Sequence, residues 1–361
     1  MSANLEEISI TEYRGIHNLR LEGINQINIL TGDNNSGKTS VLEVISSIDN
    51  PEDIGTWAQV VRGRGPFTSY YDGFYNMFPA DMDKKCIKYC YRRKDGVSTN
   101  TVLTATIERT QIPEKEMNRI NGLMRTGSTK QPENIVDTEA MTINVGVNGE
   151  KNTDFQIYDF QTRISMFVNK EVRHVRTRYI SPSAHSVQSV HITDILTNGD
   201  LYEEMIKLLK EFDQNIIGIN AIPVSTGASG VKYVLLTKGR KQALPLSVYG
   251  DGMKKAITIM AGLIEAKGGI LLLDEFETAI HISAMDKIFT WLLESALKLD
   301  VQIFMTSHSK EAIMKILTLS ERFQEKINLY TLYKNGNESM VRRMGCSEAI
   351  KADKQYGVEL R

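Results

Sequence analysis

The stretch Gly32-Asp33-Asn34-Asn35-Ser36-Gly37-Lys38-Thr39 decides the fold of this chain. It fits the pattern G-x-x-x-x-G-K-[ST], in which glycines allow a tight loop whose backbone N–H groups face phosphate oxygens. Gln26 to Leu30, just before it, has the pattern of a strand. Lys38 to Ile48, which overlaps the end of the stretch, has the pattern of an apolar helix. This strand–loop–helix context predicts a phosphate-binding P-loop in an α/β domain.

Within this loop, the motif predicts that two side chains contact a nucleotide and Mg²⁺. Lys38 would reach the β- and γ-phosphates, and the Thr39 hydroxyl would ligate Mg²⁺. The other loop positions expected to bind the nucleotide are Asn34, Asn35, Ser36, Gly37 and Ser40. By itself the loop indicates only that a nucleotide binds, which leaves kinases, GTPases and motor proteins open.

A second pattern predicts where hydrolysis would occur. Ile270 to Leu273 is a run of four aliphatic residues that suits a strand buried on both faces, and it ends in Asp274 and Glu275. Asp274 is predicted to hold Mg²⁺ through water, and Glu275 to polarise the attacking water as a general base. The alternative interpretation is a solvated acidic strand end.

Two further segments, one before the acids and one after them in the chain, are also candidates for contact with a phosphate. Leu246-Ser247-Val248-Tyr249-Gly250-Asp251-Gly252 precedes a predicted helix, Met253 to Ala266, and combines a hydroxyl, glycine amides and a helix N-terminus into an anion site. The alternative is that Ser and Gly only cap this helix. His308 follows a second buried strand, Val301 to Met305, where a lone histidine is more often structural. Thr306-Ser307-His308-Ser309 nevertheless resembles the switch histidine of ABC-type ATPases, and that resemblance implies that His308 senses the γ-phosphate.

The long interval between Lys38 and Asp274 predicts a large insertion, at about residues 65–200, within a single domain of residues 1–361. Cys86 to Tyr91 and Thr101 to Ile107 flank Lys94-Asp95-Gly96 and predict a β-hairpin inside it.

Three other segments give less regular patterns. Gly55 to Gly73 is rich in Gly, Arg and aromatic residues and is expected to be an irregular, partly exposed connection. Gln111 to Glu139 predicts loops or a marginal helix, and it lacks the apolar heptads of a coiled coil. Ile192 to Phe212 has helical spacing, and the tail predicts a strand pair around Asn335-Gly336.

Composition and charge are those of an ordinary soluble protein, with 41% hydrophobic and 24% charged residues and a formal net charge of −1. The chain is therefore not a polycation that binds nucleic acid through bulk charge. The N-terminus lacks a signal-peptide pattern and no apolar run approaches the ~18 residues of a membrane span, so we expect a cytoplasmic protein without a membrane partner. Three cysteines, Cys86, Cys90 and Cys346, suggest neither disulfides nor a zinc site.

Local basic clusters keep a nucleic-acid partner possible. They are interleaved with Tyr89 and Tyr91, a pattern that favours nucleic-acid contact. The alternative is solvated charge on an exposed face. The clusters are Lys84-Lys85, Arg92-Arg93-Lys94 and Arg173 to Arg178.

Taken in order, these motifs resemble the RecF/SMC/Rad50/OLD branch of ABC-type ATPases, and specifically small prokaryotic OLD-like or Septu-type defence ATPases. Tyr13-Arg14-Gly15-Ile16 resembles the "FRGI"-like stretch of that branch, in which an Arg or aromatic residue approaches the nucleotide. Gln59 is a candidate, by spacing, for the glutamine of the ABC Q-loop. Other stretches that resemble this branch are Arg178 to Ser183, Glu211 to Ile216 and Gly250 to Lys255.

The resemblance implies an α/β ABC ATPase core: a mixed sheet flanked by helices, an N-terminal antiparallel β subdomain and a helical signature lobe, without a long coiled coil. ATP would be sandwiched between two head-to-tail subunits. One subunit would contribute the P-loop and the acids, and the other would contribute Ser247, Gly250 and Gly252.

Two departures from the family's pattern matter. The signature reads Ser-x-x-Gly-x-Gly rather than Ser-Gly-Gly, and 53 residues follow His308, too few for the Toprim nuclease domain of OLD proteins. We therefore expect an ATPase without a nuclease centre of its own that serves as the sensor of an antiviral system with a separate nuclease or toxin effector. The alternatives are a RecF-like repair ATPase that binds duplex DNA and, third, a transporter subunit.

Overall fold

The computed structural model describes residues 4–63, 69–80, 85–122, 134–164, 174–184, 192–223, 231–319 and 321–356. Lys84 and Arg173, two members of the basic clusters, lie outside these ranges. Within them, no helix is long and apolar enough to cross a membrane.

The strands of the described residues form three sheets. In chain order they are β1 (Leu5–Tyr13), β2 (Ile16–Glu22), β3 (Ile27–Gly32), β4 (Cys86–Arg93), β5 (Ser98–Pro113), β6 (Ile135–Val147), β7 (Glu150–Tyr158), β8 (Thr177–Ile180), β9 (Ile216–Pro223), β10 (Val231–Thr237), β11 (Leu244–Pro245), β12 (Ile270–Leu273), β13 (Gln302–Thr306), β14 (Ile327–Asn335) and β15 (Glu338–Gly345).

Helices connect and cover these sheets. They are α1 (Lys38–Ser47), α2 (Ile54–Gly63), α3 (Tyr70–Tyr75), α4 (Glu114–Ile120), α5 (Thr193–Leu196), α6 (Gly199–Leu209), α7 (Asp251–Glu265), α8 (Ile282–Lys298), α9 (Lys310–Thr318), α10 (Glu321–Gln324) and α11 (Cys346–Tyr356), with a 3₁₀ turn at Leu246–Val248.

The central sheet is mixed, with the strand order β15-β14-β3-β13-β12-β8. β15 pairs antiparallel with β14, and every other pair in this sheet is parallel. β3, β12 and β13 are fully buried and contribute side chains alternately to the two hydrophobic cores on opposite faces of the sheet. Because both faces are covered, β12 is a continuous aliphatic run, as its sequence predicted, and β3 and β13 are mostly apolar.

The two faces are covered differently. Helices α6 to α9 and the small antiparallel sheet β11-β10-β9 share the core on one face. On the other face α1 and α2 share the core with a six-stranded antiparallel sheet of order β2-β1-β4-β5-β6-β7. The mixed sheet, the antiparallel β subdomain and the flanking helices predicted from the sequence are thus confirmed, and β1 and β2 join strands of the insertion in one sheet.

A buried glutamine joins the central and antiparallel sheets. The Gln302 side chain on β13 is fully buried and accepts a hydrogen bond from Leu5 N–H at 2.8 Å. Its amide donates to the carbonyls of Leu5 at 2.9 Å and Asn25 at 2.8 Å. The Gln302 side chain therefore satisfies main-chain groups at the start of β1, which belongs to a different sheet from β13 and does not pair with it.

The prediction for Gly55 to Gly73 was wrong. Helices α2 and α3 occupy its described part, and Trp57 and Phe74 are fully buried. The Trp57 indole N–H donates to Pro51 O at 2.9 Å, which anchors α2 beside the end of α1. The aromatic residues of this segment form part of the core under the antiparallel sheet, so its Gly and Arg content gave a misleading indication of exposure.

Two other predicted elements differ in extent. The segment Gln111 to Glu139 contains the end of β5, helix α4 and the start of β6. The helical pattern from Ile192 to Phe212 is split into α5 and α6, because the Asn198 side chain accepts from Leu201 N–H and starts a new helix.

Replacement of Gln302 tests the junction between the two sheets. Gln302→Ala should lower the free energy of unfolding by about 3 kcal/mol, since each buried polar group left without a partner costs about 1–3 kcal/mol. Urea unfolding measures this loss. The control is Gln59→Ala on the exposed side of α2, which should stay within about 0.5 kcal/mol of the parent. Equal losses in the two variants would contradict the assignment.

Candidate nucleotide site

Two glycines fix the backbone of the P-loop. Gly32 ends β3 with φ 133°, and a Cβ there would lie 2.1 Å from the carbonyl oxygen of Leu332 on the neighbouring strand. Gly37 has φ 102°, and a Cβ there would lie 3.0 Å from the Ile16 side chain. No other residue type fits these positions without displacement of the backbone. The glycines at both ends of the motif are therefore required by packing as well as by conformation.

The loop places a cation at the open end of a helix. Gly37 precedes α1 without a side-chain cap, so the amides of the first turn point out of the helix. The Lys38 Nζ is buried and donates to the carbonyls of Gly32 at 2.7 Å and Asp33 at 2.9 Å. Burial lowers the pKa of Lys38, and the negative charge of Asp274 opposes this shift. Backbone amides at a helix N-terminus and an ammonium group together suit a phosphate.

Asp274, at the end of β12, is held by hydroxyls from three elements. Its Oδ1 accepts from Thr306 Oγ1 at 2.6 Å and from Thr39 Oγ1 at 3.2 Å, and its Oδ2 accepts from the Tyr179 hydroxyl at 2.8 Å. The side chain is 4% exposed. The sequence singled out Asp274 and Thr39 but gave no reason to assign roles to Tyr179 and Thr306, because sheet pairing alone brings those two residues to the acid.

Thr306 also positions the second acid. Its Oγ1 accepts from Glu275 N–H at 2.8 Å while it donates to Asp274, so one hydroxyl fixes both consecutive acids. Glu275 is half-buried and has φ 44°, a left-handed conformation that costs a non-glycine residue free energy. Its carboxylate accepts from Thr278 Oγ1 at 3.3 Å. Thr306 therefore bonds the main chain of Glu275, and Thr278 bonds its carboxylate.

Oxygen donors suited to Mg²⁺ lie side by side at this place. Mg²⁺ prefers hard oxygen ligands, keeps several waters and is commonly held by one or two protein groups together with phosphate oxygens. The Thr39 hydroxyl, 3.2 Å from the Asp274 carboxylate, fits that set.

A cleft of about 630 Å³ runs over the P-loop and brings several predicted residues together. Arg14 and His308 face it along with the loop, although they lie far apart in the sequence. The lining consists of Arg14, Gly15, Ile16, Asn34, Asn35, Gly37, Lys38, Thr39, Ser40 and His308. Ser36 is instead buried beneath the loop.

Arg14 is held in the cleft by residues that the sequence did not indicate. Its Nε donates to Glu43 on α1 at 2.9 Å, and its Nη1 donates to the Asn76 carbonyl at 2.8 Å. Its own N–H donates to Met77 O at 3.1 Å, and its φ is 52°. The segment after α3 and the P-loop helix therefore fix this guanidinium together.

The signature-like loop (residues 246–252) does not line this cleft. Ser247 and Gly250 are exposed at the 3₁₀ turn and at the start of α7, which has no side-chain cap at Gly250. Gly252 packs tightly, since a Cβ there would lie 3.0 Å from the Ala279 carbonyl oxygen. These residues form a separate surface, with an open helix N-terminus, on the same chain.

A third acid, Glu277, was missed by the sequence reasoning. Its Oε1 accepts from Ser307 Oγ at 2.8 Å and from the N–H groups of His308 at 3.1 Å and Ser309 at 3.3 Å. Glu277 thus holds the loop that carries His308. The spacing Asp274-Glu275-x-Glu277 was visible in the sequence and could have indicated a third functional carboxylate.

Other candidates lie elsewhere. Gln59 is on the exposed side of α2 and does not line the cleft. Tyr89 and Tyr91 are core residues, so they do not present rings for base stacking. Arg92 donates to Glu6 and Glu7 at 3.0 Å each, and Arg93 forms an ion pair with Asp95. The alternation of tyrosines and basic residues, which favoured nucleic-acid binding, therefore reflects the alternation of buried and exposed side chains along β4.

The P-loop, the acid-ended strand, the His308 loop and the signature-like loop are arranged around a mixed sheet that lies beside an antiparallel one, the α/β architecture that the sequence predicted. The family described as "AAA domain, putative AbiEii toxin, Type IV TA system" matches residues 144–314. That region includes the signature-like loop, the acids and His308.

Among known proteins, the chain is similar to an "ATP/GTP phosphatase" of Helicobacter pylori, with 24% identity over 86% of each chain. It is also similar to an uncharacterized protein of Methanocaldococcus jannaschii, with 37% identity over 20% of this chain and 36% of that protein.

Solved structures with a similar course of the chain include an SMC head bound to a domain of ScpA, with a TM-score of 0.49 at 11% identity over 96% of this chain and 99% of that one. The recombination mediator protein RecF has a TM-score of 0.48 at 14% identity over 95% of this chain and 100% of that one.

Thr306→Val tests how the two acids are held. Valine keeps the shape but leaves Glu275 N–H and one Asp274 oxygen short of a partner, so the free energy of unfolding should fall by about 1–3 kcal/mol. Thermal or urea unfolding without nucleotide measures this fall. The matched control is Thr290→Val on the surface of α8, where the hydroxyl bonds only Asp286 O within its own helix. A Thr306→Val protein as stable as the control would show that the shared hydroxyl does not hold the acids.

Proposed function

We propose that this chain is an ATP-hydrolysing switch. Lys38, the α1 amides and Thr39 bind the phosphates and Mg²⁺, Asp274 orients the metal's water shell, and Glu275 is the general base. One observation carries the proposal. Asp274 accepts hydrogen bonds from the P-loop residue Thr39 and from Thr306, and Thr306 in turn accepts one from Glu275 N–H. Residues for phosphate binding and for water activation thereby lie on one rigid unit.

The residues in and beside the cleft have distinct tasks in this proposal. Bound Mg²⁺ supplies charge that neutralises phosphate oxygens. Glu275 accepts a proton from the attacking water, the step that phosphoryl transfer to water needs. Arg14, fixed by Glu43 and Asn76, orients the nucleotide. His308 and Ser40 contact it from the sides of the cleft, together with Asn34 and Asn35.

A second copy of the chain completes the site in this proposal. Ser247 and Gly250 present a hydroxyl and an open helix N-terminus, groups that suit an anion, yet they face away from the cleft of their own chain. Head-to-tail pairing would place them against the γ-phosphate held by the other chain. ATP then favours the dimer, and hydrolysis releases it, so the protein cycles between two assembly states.

The biological role that we propose is the sensor ATPase of an antiviral defence system of the OLD-like or Septu type. The description of the matching family, which names a toxin of a toxin–antitoxin system, and the name of the Helicobacter pylori relative, a phosphatase of ATP and GTP, support a nucleotide-driven defence switch. The destructive step belongs to a separate nuclease or toxin. A RecF-like DNA-binding role has less support, because Arg92 and Arg93 are ion-paired and the nearby tyrosines are buried.

Two substitutions separate binding from hydrolysis. Lys38→Ala should weaken ATP binding by about 10- to 100-fold, since hydrogen bonds to a charged group contribute about 1.5–3 kcal/mol. Glu275→Gln should bind ATP normally, lose about 10²- to 10⁴-fold in turnover because a general base is absent, and accumulate as a dimer with ATP. Titration of a fluorescent ATP analogue, phosphate release and light scattering measure these effects. Controls are Lys315→Ala and Glu294→Gln on the surface. Normal turnover of Glu275→Gln would show that Glu275 is not the base.

The separate-effector role predicts that the purified protein does not cleave nucleic acid. Incubation with Mg²⁺, ATP and single- or double-stranded DNA or RNA should leave each substrate intact for the parent and for Glu275→Gln. Gel analysis over time measures cleavage. Cleavage that persists in Glu275→Gln would reveal a nuclease centre in this chain and overturn the role of a separate effector, while the ATPase itself would still stand.

A further inference from the structure

The β14–β15 hairpin, which the sequence predicted around Asn335-Gly336, has no part in the proposed chemistry. It forms one edge of the central sheet, where β14 pairs with the P-loop strand β3. Its side chains on one face contact β2, the edge strand of the antiparallel sheet. The Tyr330 hydroxyl donates to Glu22 O at 3.0 Å, and Asn328 Nδ2 donates to Gly23 O at 2.8 Å. These bonds hold the end of β2 that is remote from the cleft.

At the other end of β2, Lys334 and Ser339 reach the turn that lines the cleft. These two residues lie directly opposite each other in the hairpin. Ser339 is 2% exposed, and its Oγ accepts hydrogen bonds from Lys334 Nζ at 3.0 Å and from His17 N–H at 3.3 Å. Lys334 Nζ also donates to Gly15 O. Side chains of the hairpin therefore hold main-chain groups on both sides of Ile16.

The same hairpin determines what both glycines of the P-loop contact. Leu332 O on β14 lies where a Cβ of residue 32 would be, so the hairpin contacts Gly32 directly. Ile16, which is 1% exposed, packs against Gly37, where a Cβ would lie 3.0 Å from Ile16 Cγ1. Residues 14–16 line the cleft. A displacement of this turn would therefore move one wall of the cleft relative to the P-loop.

We propose that Lys334 and Ser339 are positioning residues for nucleotide binding, which they affect through the turn of residues 14–16. Their hydrogen bonds fix this turn against the P-loop, so that Arg14 and the loop amides meet the nucleotide in one arrangement. Without these bonds, binding must also order the turn, and the affinity falls. Neither residue lines the cleft, so neither is a catalytic residue. The inference rests on the nucleotide binding of the proposed function.

Two simpler roles for Lys334 give different expectations. An electrostatic role, in which its charge attracts phosphates from a distance, would need no contribution from Ser339. Ser339→Ala removes no charge, yet it removes the acceptor that Lys334 and His17 share. A purely structural role would reduce the amount of folded protein, and hence the apparent kcat, without a change in KM.

The first test measures ATP affinity and turnover in Lys334→Met, Ser339→Ala and the double variant. Each single variant should raise the Kd and KM for ATP by about five- to tenfold, while kcat at saturating ATP stays within about twofold, because Thr39 and the acids are untouched. The double variant should bind ATP no more than about twofold more weakly than the weaker single variant, because both changes release the same turn.

The matched control for this test is Arg342→Met. Arg342 is an exposed cation of β15 on the opposite face of the hairpin from Ser339, so its replacement should leave the Kd for ATP unchanged. Three results would overturn the proposal: an unchanged Kd in Ser339→Ala, a lower kcat with an unchanged KM, or multiplied losses of affinity in the double variant.

The second test needs no nucleotide and so separates this proposal from the proposed function. Hydrogen–deuterium exchange of the full chain should show faster exchange of residues 14–18 in Ser339→Ala and Lys334→Met than in Arg342→Met, because His17 N–H and Gly15 O lose hydrogen bonds. Lys334→Met, at an exposed position, serves if Ser339→Ala does not fold.

The combined results distinguish a failure of this proposal from a failure of the proposed function. Unchanged exchange in the variants would overturn the contact between the hairpin and the turn. Faster exchange with an unchanged Kd for ATP would overturn the positioning role and leave the proposed function standing. A parent protein that binds no ATP would overturn the proposed function and the effect on affinity with it, while faster exchange would still establish that the hairpin holds the turn.

Discussion

The Asp274 carboxylate is the group on which the arrangement of the site depends. A buried carboxylate must be compensated by hydrogen bonds, and Asp274 obtains them from Thr39, Thr306 and Tyr179. These donors lie on α1, β13 and β8. All three hydrogen bonds to the Asp274 carboxylate therefore form only when these elements are correctly placed relative to β12. The pairing of Leu273 with Ile180 on one side and Met305 on the other provides that register. A slip of one residue would turn Thr306 to the opposite face of the sheet.

The same register determines where the P-loop lies. β13 pairs with β3 so that Thr306 is opposite Leu30, and β14 pairs with β3 on its other side so that Leu332 is opposite Gly32. Leu332 O then occupies the space that a Cβ of residue 32 would need. The first glycine of the motif thus follows from the close packing of parallel strands, in addition to the loop's approach to phosphate.

The sequence predicted the parts of the site that local patterns specify. The aliphatic runs of β12 and β13, the loop from Gly32 to Thr39 and the helix after it needed only neighbouring residues for their recognition. Tyr179 and Glu43 could not be assigned in this way, because their partners lie 95 and 29 residues away. The pairing of β1 with β4, which joins the N-terminus to the insertion, is also non-local. Helix α2 was missed because burial of Trp57 overrode the Gly and Arg content around it.

Two buried lysines lie near the acidic turn and offset part of its charge. Asp274, Glu275 and Glu277 lie within four consecutive residues, and their mutual repulsion is offset by two buried lysines, Lys38 from the P-loop and Lys255 from α7. Burial lowers the pKa of both lysines, and the negative charge of the acids opposes this shift. Helices α1 and α7, which carry these lysines, therefore both contribute charge that offsets the acidic turn.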